Sequence, residues 1–298
     1  MTLPTAGAPY PSRVAKLAIM IEGQEGVDWR LWKRLAETVE GLGFDSFWRS
    51  DHLYSVMGKF DRATIECWAS LALIATWTKR IPFGPNVSPM TFREPGVLAR
   101  TAAAVDVLSD GRLVMGVGAG WYEAEHRDFG ITFPPLKERM DRMDASFNIM
   151  RGVWEARNPR PVRGTIPFLV GGDGERRTLR AVAEHADWWN TVMRPVPVLR
   201  HKLDVLQQHC REVGRDYASV RKTITRTAFL APTREAAERK AGSRLEEPTP
   251  PFAGEPAALV DHLLELNDLG FDLFQMVFGD FPDTTDIRLF VDKVLPRL

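Results

Sequence analysis

The feature that most constrains the fold is a regular alternation of short apolar runs with longer stretches of helical apolar spacing. The short runs are rich in β-branched residues, which favours strands, and the longer stretches have the periodicity of amphipathic helices. Eight strands are predicted in this way, at Val14–Ile21, Phe44–Trp48, Ile81–Val87, Leu113–Val117, Pro167–Val170, Trp188–Met193, Val220–Leu230 and Phe271–Phe278. The helices between them are predicted at Trp29–Leu42, Ile65–Trp77, Pro95–Leu108, Leu136–Trp154, Glu175–Ala186, Val198–Val213, Arg234–Leu245, Pro256–Leu269 and Thr285–Val294.

Strands that alternate with helices pair in parallel, because each helix carries the chain back to the same end of the sheet. Eight such units suit closure, and we predict an α/β fold of the (β/α)8 TIM-barrel type. An open doubly wound sheet is the alternative, but it usually needs less chain than 298 residues. We divide the chain into an N-terminal tail, residues 1–12, and one barrel domain, residues 13–298. In such barrels the chemistry lies at the carboxyl ends of the strands.

The charge balance and the cysteine content exclude several classes of protein. The 39 Lys and Arg residues equal the 39 Asp and Glu residues. A nucleic-acid or membrane-surface binder needs a basic excess, so neither partner is expected. Two distant cysteines, Cys67 and Cys210, provide neither a disulfide framework nor a zinc cluster, and the histidines lack metal-ligand spacing. With no signal peptide at the N-terminus, we expect a cytoplasmic protein without a metal.

An aspartate and a histidine follow the second predicted strand, in Ser50-Asp51-His52. A carboxylate beside an imidazole can orient or charge it, and histidine titrates near neutral pH, which suits proton transfer. The alternative is that Asp51 caps a turn and His52 is a structural histidine of the core. Because the pair lies at the carboxyl end of a barrel strand, we predict Asp51 and His52 as catalytic residues.

Two prolines and a glycine surround the end of the third predicted strand, in the segment 84–89. This composition indicates an irregular, bulged backbone that exposes its own amide groups. Asn86, Val87 and Ser88 are therefore candidates for contact with a ligand. An ordinary exit from a strand into a loop is the alternative.

The fourth predicted strand ends in a glycine-rich segment, residues 116–121. Its glycines do not match the G-x-G-x-x-G dinucleotide fingerprint, since the third is one position early and no helix follows directly. We expect Ala119 and Gly120 to bring the backbone close to a flat ligand and Trp121 to form an aromatic wall. For Gly116 and Gly118, tight packing in the barrel is an equally good explanation.

A second glycine-rich loop follows the fifth predicted strand and leads into a helix. Free amide groups and the helix dipole at such a position favour an anion, and glycines let a phosphate approach. Two arginines in the first turn oppose the dipole unless a bound anion offsets them. The alternative is a glycine-rich cap with solvated arginines. The residues predicted to hold a phosphate are Gly171, Gly172, Asp173, Gly174, Arg176 and Arg177.

The chain resembles the bacterial luciferase-like monooxygenase superfamily and, within it, the branch of coenzyme F420-dependent oxidoreductases. The resemblance spans nearly the whole chain. It is carried by Gly43–Trp48, Ser50–His52, Thr91–Pro95, Leu98–Asp106, Leu108–Ser109, Gly111–Leu113, Gly116–Trp121, Glu125, Gly130, Pro167–Arg180, Ala186–Asp187 and Trp189–Asn190.

This resemblance implies a cofactor that lies across the strand ends without covalent attachment. It also implies a cis peptide at Asn86-Val87 behind the ring of the cofactor, with Asp51 and His52 beside the reactive face. Trp121 stands where some sugar-oxidising relatives have an acidic residue, so oxidation of sugar phosphates is not expected. The segment 155–165 is shorter than in relatives, and from this we expect a more open substrate pocket.

The leading hypothesis is an F420-dependent oxidoreductase that transfers a hydride between C5 of the deazaflavin and a small organic substrate. Asp51 and His52 would handle the proton, and Val87 and Trp121 would pack against the ring. The alternative is an FMNH2-dependent monooxygenase that works with a flavin reductase, and a third hypothesis is a barrel that binds ligands without turnover. A reductase for F420 or flavin and a homodimer are the expected partners, the dimer face lying on the helical segments 68–77 and 140–154.

Overall fold

The computed structural model describes residues 15–57, 60–281 and 283–298, so the predicted tail at residues 1–12 lies outside the described residues. The strands are β1 (Lys16–Ile21), β2 (Ser46–Arg49), β3 (Phe83–Pro85), β4 (Ser88–Pro89), β5 (Met115–Gly118), β6 (Phe168–Gly171), β7 (Trp188–Val192), β8 (Arg221–Leu230), β9 (Phe252–Gly254) and β10 (Leu273–Phe278). The α-helices are α1 (Trp29–Gly41), α2 (Cys67–Trp77), α3 (Pro95–Leu108), α4 (Glu123–Asp128), α5 (Leu136–Ala156), α6 (Thr178–His185), α7 (Val196–Glu212), α8 (Arg234–Ala241), α9 (Pro256–Leu269) and α10 (Thr285–Lys293). Within the described ranges, none of these helices is both long and apolar enough to span a membrane.

The strands form one parallel barrel, in the order β3-β2-β1-β10-β8-β7-β6-β5-β4. Hydrogen bonds between β3 and the chain ahead of β5 join the two ends: Phe83 N donates to Arg112 O (3.2 Å), and Val114 N donates to Phe83 O (2.9 Å). β3 pairs with β2 and β4 pairs with β5, so β3 and β4 are two halves of one interrupted barrel strand. The predicted (β/α)8 barrel is therefore confirmed.

Side chains of alternate residues on each strand fill two separate cores, as the pleat of a strand requires. On β1, Ala18 and Met20 point into the barrel, where they pack with Trp48 and Leu169. The odd-numbered residues of β1 point outward and join the larger core between the strands and the surrounding helices. The interior is thus a packed core, and in barrels of this type ligands bind at the rim formed by the carboxyl ends of the strands.

Two short elements were not predicted. The strand β9 lies in the proline-rich break between two predicted helices and pairs with residues 228–230 of β8, outside the barrel ring. The helix α4 follows β5 and has only six residues. Neither is long enough to show a hydrophobic period in the sequence.

Two tryptophans and a phenylalanine of the predicted dimer face are buried. Trp68 of α2 is 5% exposed, and Trp154 of α5 is 1% exposed and donates its indole N–H to Ala99 O. Phe147 of α5 is also fully buried. These large apolar side chains cover the barrel of their own chain, and the dimer face on the two helices stays a prediction.

The short segment 155–165 lies at the opposite end of the barrel from the predicted site. Val162 N donates to the side chain of Asp106 (2.8 Å), near the end of α3, and Val162 also packs beside Gly111. Both positions belong to the connection that enters β5 at its amino end. The expectation that this segment opens the substrate pocket was therefore wrong, since the pocket side is the carboxyl end.

Candidate active site

A histidine and a buried glutamate meet at the carboxyl-end rim. His52 follows β2, and Glu125 lies in α4, which follows β5. The two side chains are joined by a hydrogen bond of 2.7 Å between His52 Nδ1 and Glu125 Oε2. The glutamate side chain is completely buried and the imidazole is 15% exposed. The second glutamate oxygen accepts from Leu53 N, which fixes the carboxylate beside the ring.

The environment of His52 changes its acidity. Burial by itself disfavours the imidazolium, but the hydrogen bond to Glu125 and the negative charges of Glu125, Glu22 and Asp51 outweigh it. Together they raise the pKa of His52 above its usual value. A largely buried imidazole whose pKa is raised in this way is suited to general acid–base chemistry.

Asp51 does not bond to its neighbour in the sequence. Its side chain is buried and accepts from the hydroxyl of Ser88 (2.6 Å) and from both terminal nitrogens of Arg93 (2.7 and 3.2 Å). Arg93 also donates to Glu66, at the start of α2. Asp51 and Ser88, both predicted from the sequence as site residues, thus join the ends of β2 and β4 to the helix starts around them.

Replacing Arg93 by methionine is expected to lower the free energy of unfolding by about 2 kcal/mol, because it leaves the Asp51 carboxylate buried without its cation. Urea unfolding monitored by far-UV circular dichroism measures this change. Arg234→Met is the matched control, since the Arg234–Glu238 pair is exposed and such pairs contribute about 0–1 kcal/mol. Equal effects of the two substitutions would contradict a structural role for the buried pair.

Val87 forms a small apolar shelf in the interrupted strand, where the Asn86-Val87 peptide is cis as the resemblance implied. Three glycines leave room for it. A Cβ on Gly118 would lie 2.5 Å from Val87 Cγ2, and one on Gly171 would lie 2.8 Å from Val87 Cγ1. A Cβ on Gly116 would overlap the carbonyl oxygen of Pro85. These glycines therefore serve packing around the bulge, and we call Val87 with them the Val87 shelf.

A polar network inside the barrel holds the side chain next to this shelf. Asn86 Nδ2 donates to Gln275 Oε1 (2.7 Å), and Gln275 Nε2 donates to the hydroxyl of Thr223 (3.3 Å). The Thr223 hydroxyl also bonds to Asn190 Oδ1 (2.8 Å). Hydrogen bonds from the barrel interior thus fix the side chain of Asn86. Gln275 was missed from the sequence, because one glutamine within an apolar strand carries no local signal.

The glycine-rich loop after β6 uses several of its polar groups internally. Gly172 N donates to Asn190 O (2.9 Å), and Asp173 accepts from Arg194 Nε (2.9 Å). Arg177 pairs with two aspartates of α5, Asp141 and Asp144, so its charge is offset without a bound anion.

What the loop offers a ligand is an open, glycine-rich surface. Gly172, Gly174 and Arg176 are exposed at the start of α6. The predicted phosphate contact is thus compatible with these three residues. It has less support at Arg177, which is already occupied by α5, and at Gly171, which packs against Val87.

The segment after β5 places an exposed tryptophan beside the histidine. Ala119 packs against the core, and Gly120 has φ +80°, a conformation that favours glycine. Trp121 is 66% exposed, and its ring lies edge-on to His52 with centroids 5.8 Å apart. The structure therefore brings His52 and Trp121, both predicted as site residues, into contact at the rim.

A family model and several relatives match this chain. Residues 15–267 match the model of the luciferase-like monooxygenase family. An uncharacterized protein of Mycobacterium tuberculosis is 31% identical over 169 residues, which cover 51% of this chain and 58% of the relative. The alignment thus spans little more than half of that relative. An F420-dependent glucose-6-phosphate dehydrogenase of Microbacterium testaceum is 26% identical over 310 residues, covering 87% of this chain and 90% of the relative.

Solved structures share the fold. An F420-dependent secondary alcohol dehydrogenase in complex with an F420–acetone adduct superposes with a TM-score of 0.80 at 17% identity, over 95% of this chain and 99% of the other. A long-chain alkane monooxygenase superposes with a TM-score of 0.80 at 16% identity, over 97% and 92%. At these identities the likeness concerns the barrel alone. The family model, in contrast, matches most of the sequence, and this match shows that the chain belongs to the luciferase-like monooxygenase family.

Proposed function

We propose that this chain is an oxidoreductase that uses coenzyme F420 and transfers a hydride to or from a small organic substrate. The observation that carries the proposal is the His52–Glu125 pair, a proton-binding imidazole held at the barrel rim by a buried carboxylate. Relatives and neighbours named as F420-dependent dehydrogenases support the choice of cofactor.

The residues at the rim fit a flat, phosphorylated cofactor. Val87 is partly exposed and presents an apolar surface that three glycines hold in place, which suits one face of an aromatic ring. Trp121 would pack against the ring edge. The exposed glycines Gly172 and Gly174, with Arg176, would hold the phosphate at the start of α6.

When bound, F420 supplies a carbon, C5, that accepts or returns a hydride. The role of His52 is to take the hydroxyl proton of a substrate alcohol as the alcohol becomes a carbonyl, or to return that proton in the reverse direction. Glu125 keeps the imidazole oriented and stabilises its charged form. Asp51 acts as a positioning residue, because its carboxylate is occupied by Ser88 and Arg93.

Titration of the purified protein with F420, followed by the fluorescence of the coenzyme, tests this proposal. We expect saturable binding with a dissociation constant at or below about 10 µM. Val87→Glu should weaken it at least tenfold, since a carboxylate would face the ring and the phosphate. Val198→Glu, on the exposed surface of α7, is the matched control. Absence of binding at F420 concentrations of tens of micromolar would overturn the proposed cofactor.

The second candidate is an FMNH2-dependent monooxygenase supplied by a flavin reductase. The barrel is compatible with it, since the chain superposes equally well on a long-chain alkane monooxygenase and on an F420-dependent alcohol dehydrogenase. The length of the segment 155–165 does not bear on the choice, because that segment lies at the other end of the barrel. Tighter binding of FMN than of F420, with oxygen consumed in the presence of FMNH2, would favour this candidate. A reductase partner and a homodimer remain proposals alongside it.

A further inference from the structure

Five aromatic side chains form a continuous surface that begins at His52. Trp121 and Tyr122 lie 5.1 Å apart by ring centroids, and Tyr122 is 6.3 Å from Tyr54. Tyr54 in turn contacts Phe60 at 5.4 Å and Phe129 at 6.1 Å. His52 makes edge contacts with the rings of both Trp121 and Tyr122. We call this group of residues, 54, 60, 121, 122 and 129, the aromatic wall.

Much of the aromatic wall faces solvent. Phe60 is 69% exposed, Trp121 is 66% exposed and Phe129 is 55% exposed. Large apolar side chains gathered on one surface mark a place where an apolar partner binds, because each leaves substantial area in contact with water. Here the surface adjoins a proton-transfer group, which favours a small molecule over a docked protein that would cover that group.

In the described segments of the aromatic wall, carboxylates outnumber arginines, which disfavours an anionic ligand. Asp128 accepts from the Tyr54 hydroxyl (2.9 Å) and also pairs with Arg127 (3.1 Å). Glu123 is exposed in the same helix. In the described part of the two segments that carry the wall, residues 51–57, 60–62 and 119–130, both arginines are paired with carboxylates: Arg127 with Asp128 and Arg62 with Glu25.

We propose that the substrate is uncharged and carries an apolar group of about the size of a phenyl ring, which packs on the aromatic wall. Its reacting carbon and oxygen then lie beside His52. The inference rests on the proposed function for the reaction, but the binding of the apolar group depends only on the wall. A phosphorylated or carboxylated substrate is disfavoured, because no unpaired cation of the described wall segments would offset its charge.

Ligand-observed NMR with acetophenone and, separately, glucose 6-phosphate tests the proposal, on the protein alone and after addition of F420. We expect acetophenone to bind in both cases and glucose 6-phosphate to show no binding. Trp121→Ala and Phe129→Ala should each weaken acetophenone binding about tenfold. This is the loss of affinity expected when one aromatic contact and the apolar area that it buries are removed. Trp29→Ala removes a tryptophan that is 44% exposed and outside the wall, and should change binding less than about twofold.

The outcomes separate this inference from the proposed function. Wall-dependent binding of acetophenone without any binding of F420 would support the substrate class and overturn the cofactor. Equal acetophenone affinity in all variants would overturn the inference, as expected if the wall docks a protein instead. Tighter binding of glucose 6-phosphate than of acetophenone would also overturn it. Far-UV circular dichroism checks the fold of each variant, and Phe129→Ala provides the test if Trp121→Ala fails to fold.

Discussion

Replacing His52 by asparagine is expected to lower the rate of hydride transfer by about 10²- to 10⁴-fold, the range that positioned acid–base groups contribute. Asparagine keeps a polar side chain near Glu125 but cannot carry the proton. The measurement is the change in F420 fluorescence when F420-loaded enzyme is mixed with 1-phenylethanol. The affinity for F420 should change little, because the loss concerns proton transfer and not the Val87 shelf.

His201→Asn is the matched control for this substitution. His201 is an exposed histidine of α7, with its side chain 59% accessible, and its replacement should leave the rate unchanged. If His52→Asn retains the wild-type rate while F420 still binds, the proton must be handled by another group. In that case the role proposed for the His52–Glu125 pair is wrong, whatever the cofactor.

Replacing Glu125 tests the direction in which this residue shifts the pKa of His52. Glu125→Gln removes the charge that stabilises the imidazolium, so the pKa of His52 should fall and its NMR titration should move to lower pH. Because the native pKa of His52 is raised, the stability it contributes is complete below the unfolded value of about 6.5. That stability is lost as pH rises through the native value. The variant should lose part of this pH dependence, and an unchanged titration would contradict the pairing.

The barrel was predictable because the sequence pattern that specifies it is local and repeats along the chain. Strand and helix periods alternate along the chain, and parallel pairing follows from that alternation without any knowledge of tertiary contacts. The break inside the third predicted strand was signalled by Gly84, Pro85 and Pro89. Strand β9 was not predictable in this way, because three residues between prolines have no period and pair only through contact with β8.

The sequence predicted where the candidate site lies but not which side chains in it hydrogen-bond to each other. The carboxyl ends of the strands place Asp51, His52, Val87 and Trp121 at one rim, as parallel topology requires. Adjacency in the sequence suggested that Asp51 serves His52, yet the imidazole bonds to Glu125, 73 positions further on. Successive residues at a strand end point in different directions, so a neighbour in sequence is seldom the partner in space.

Gly118→Ala is expected to lower the free energy of unfolding by about 3 kcal/mol, because overpacking a filled core forces side chains and backbone apart. The added Cβ would lie 2.5 Å from Val87 Cγ2, too close for any ordinary contact. Gly152→Ala is the matched control. It lies inside α5 with no atom within 4 Å of its added Cβ, so it should raise stability by about 0.5–1 kcal/mol.

Combining Gly118→Ala with Val87→Ala tests whether contact with Val87 causes the loss of stability. Removing the two methyl groups of Val87 leaves space for the new Cβ, so the loss from Gly118→Ala should shrink by at least about 1 kcal/mol in that background. Urea unfolding of the four proteins in the cycle measures this coupling. Strictly additive effects would mean that Gly118 is required by something other than Val87. A positive coupling would establish that Gly118, the last residue of β5, is required to make room for the side chain proposed to face the cofactor ring.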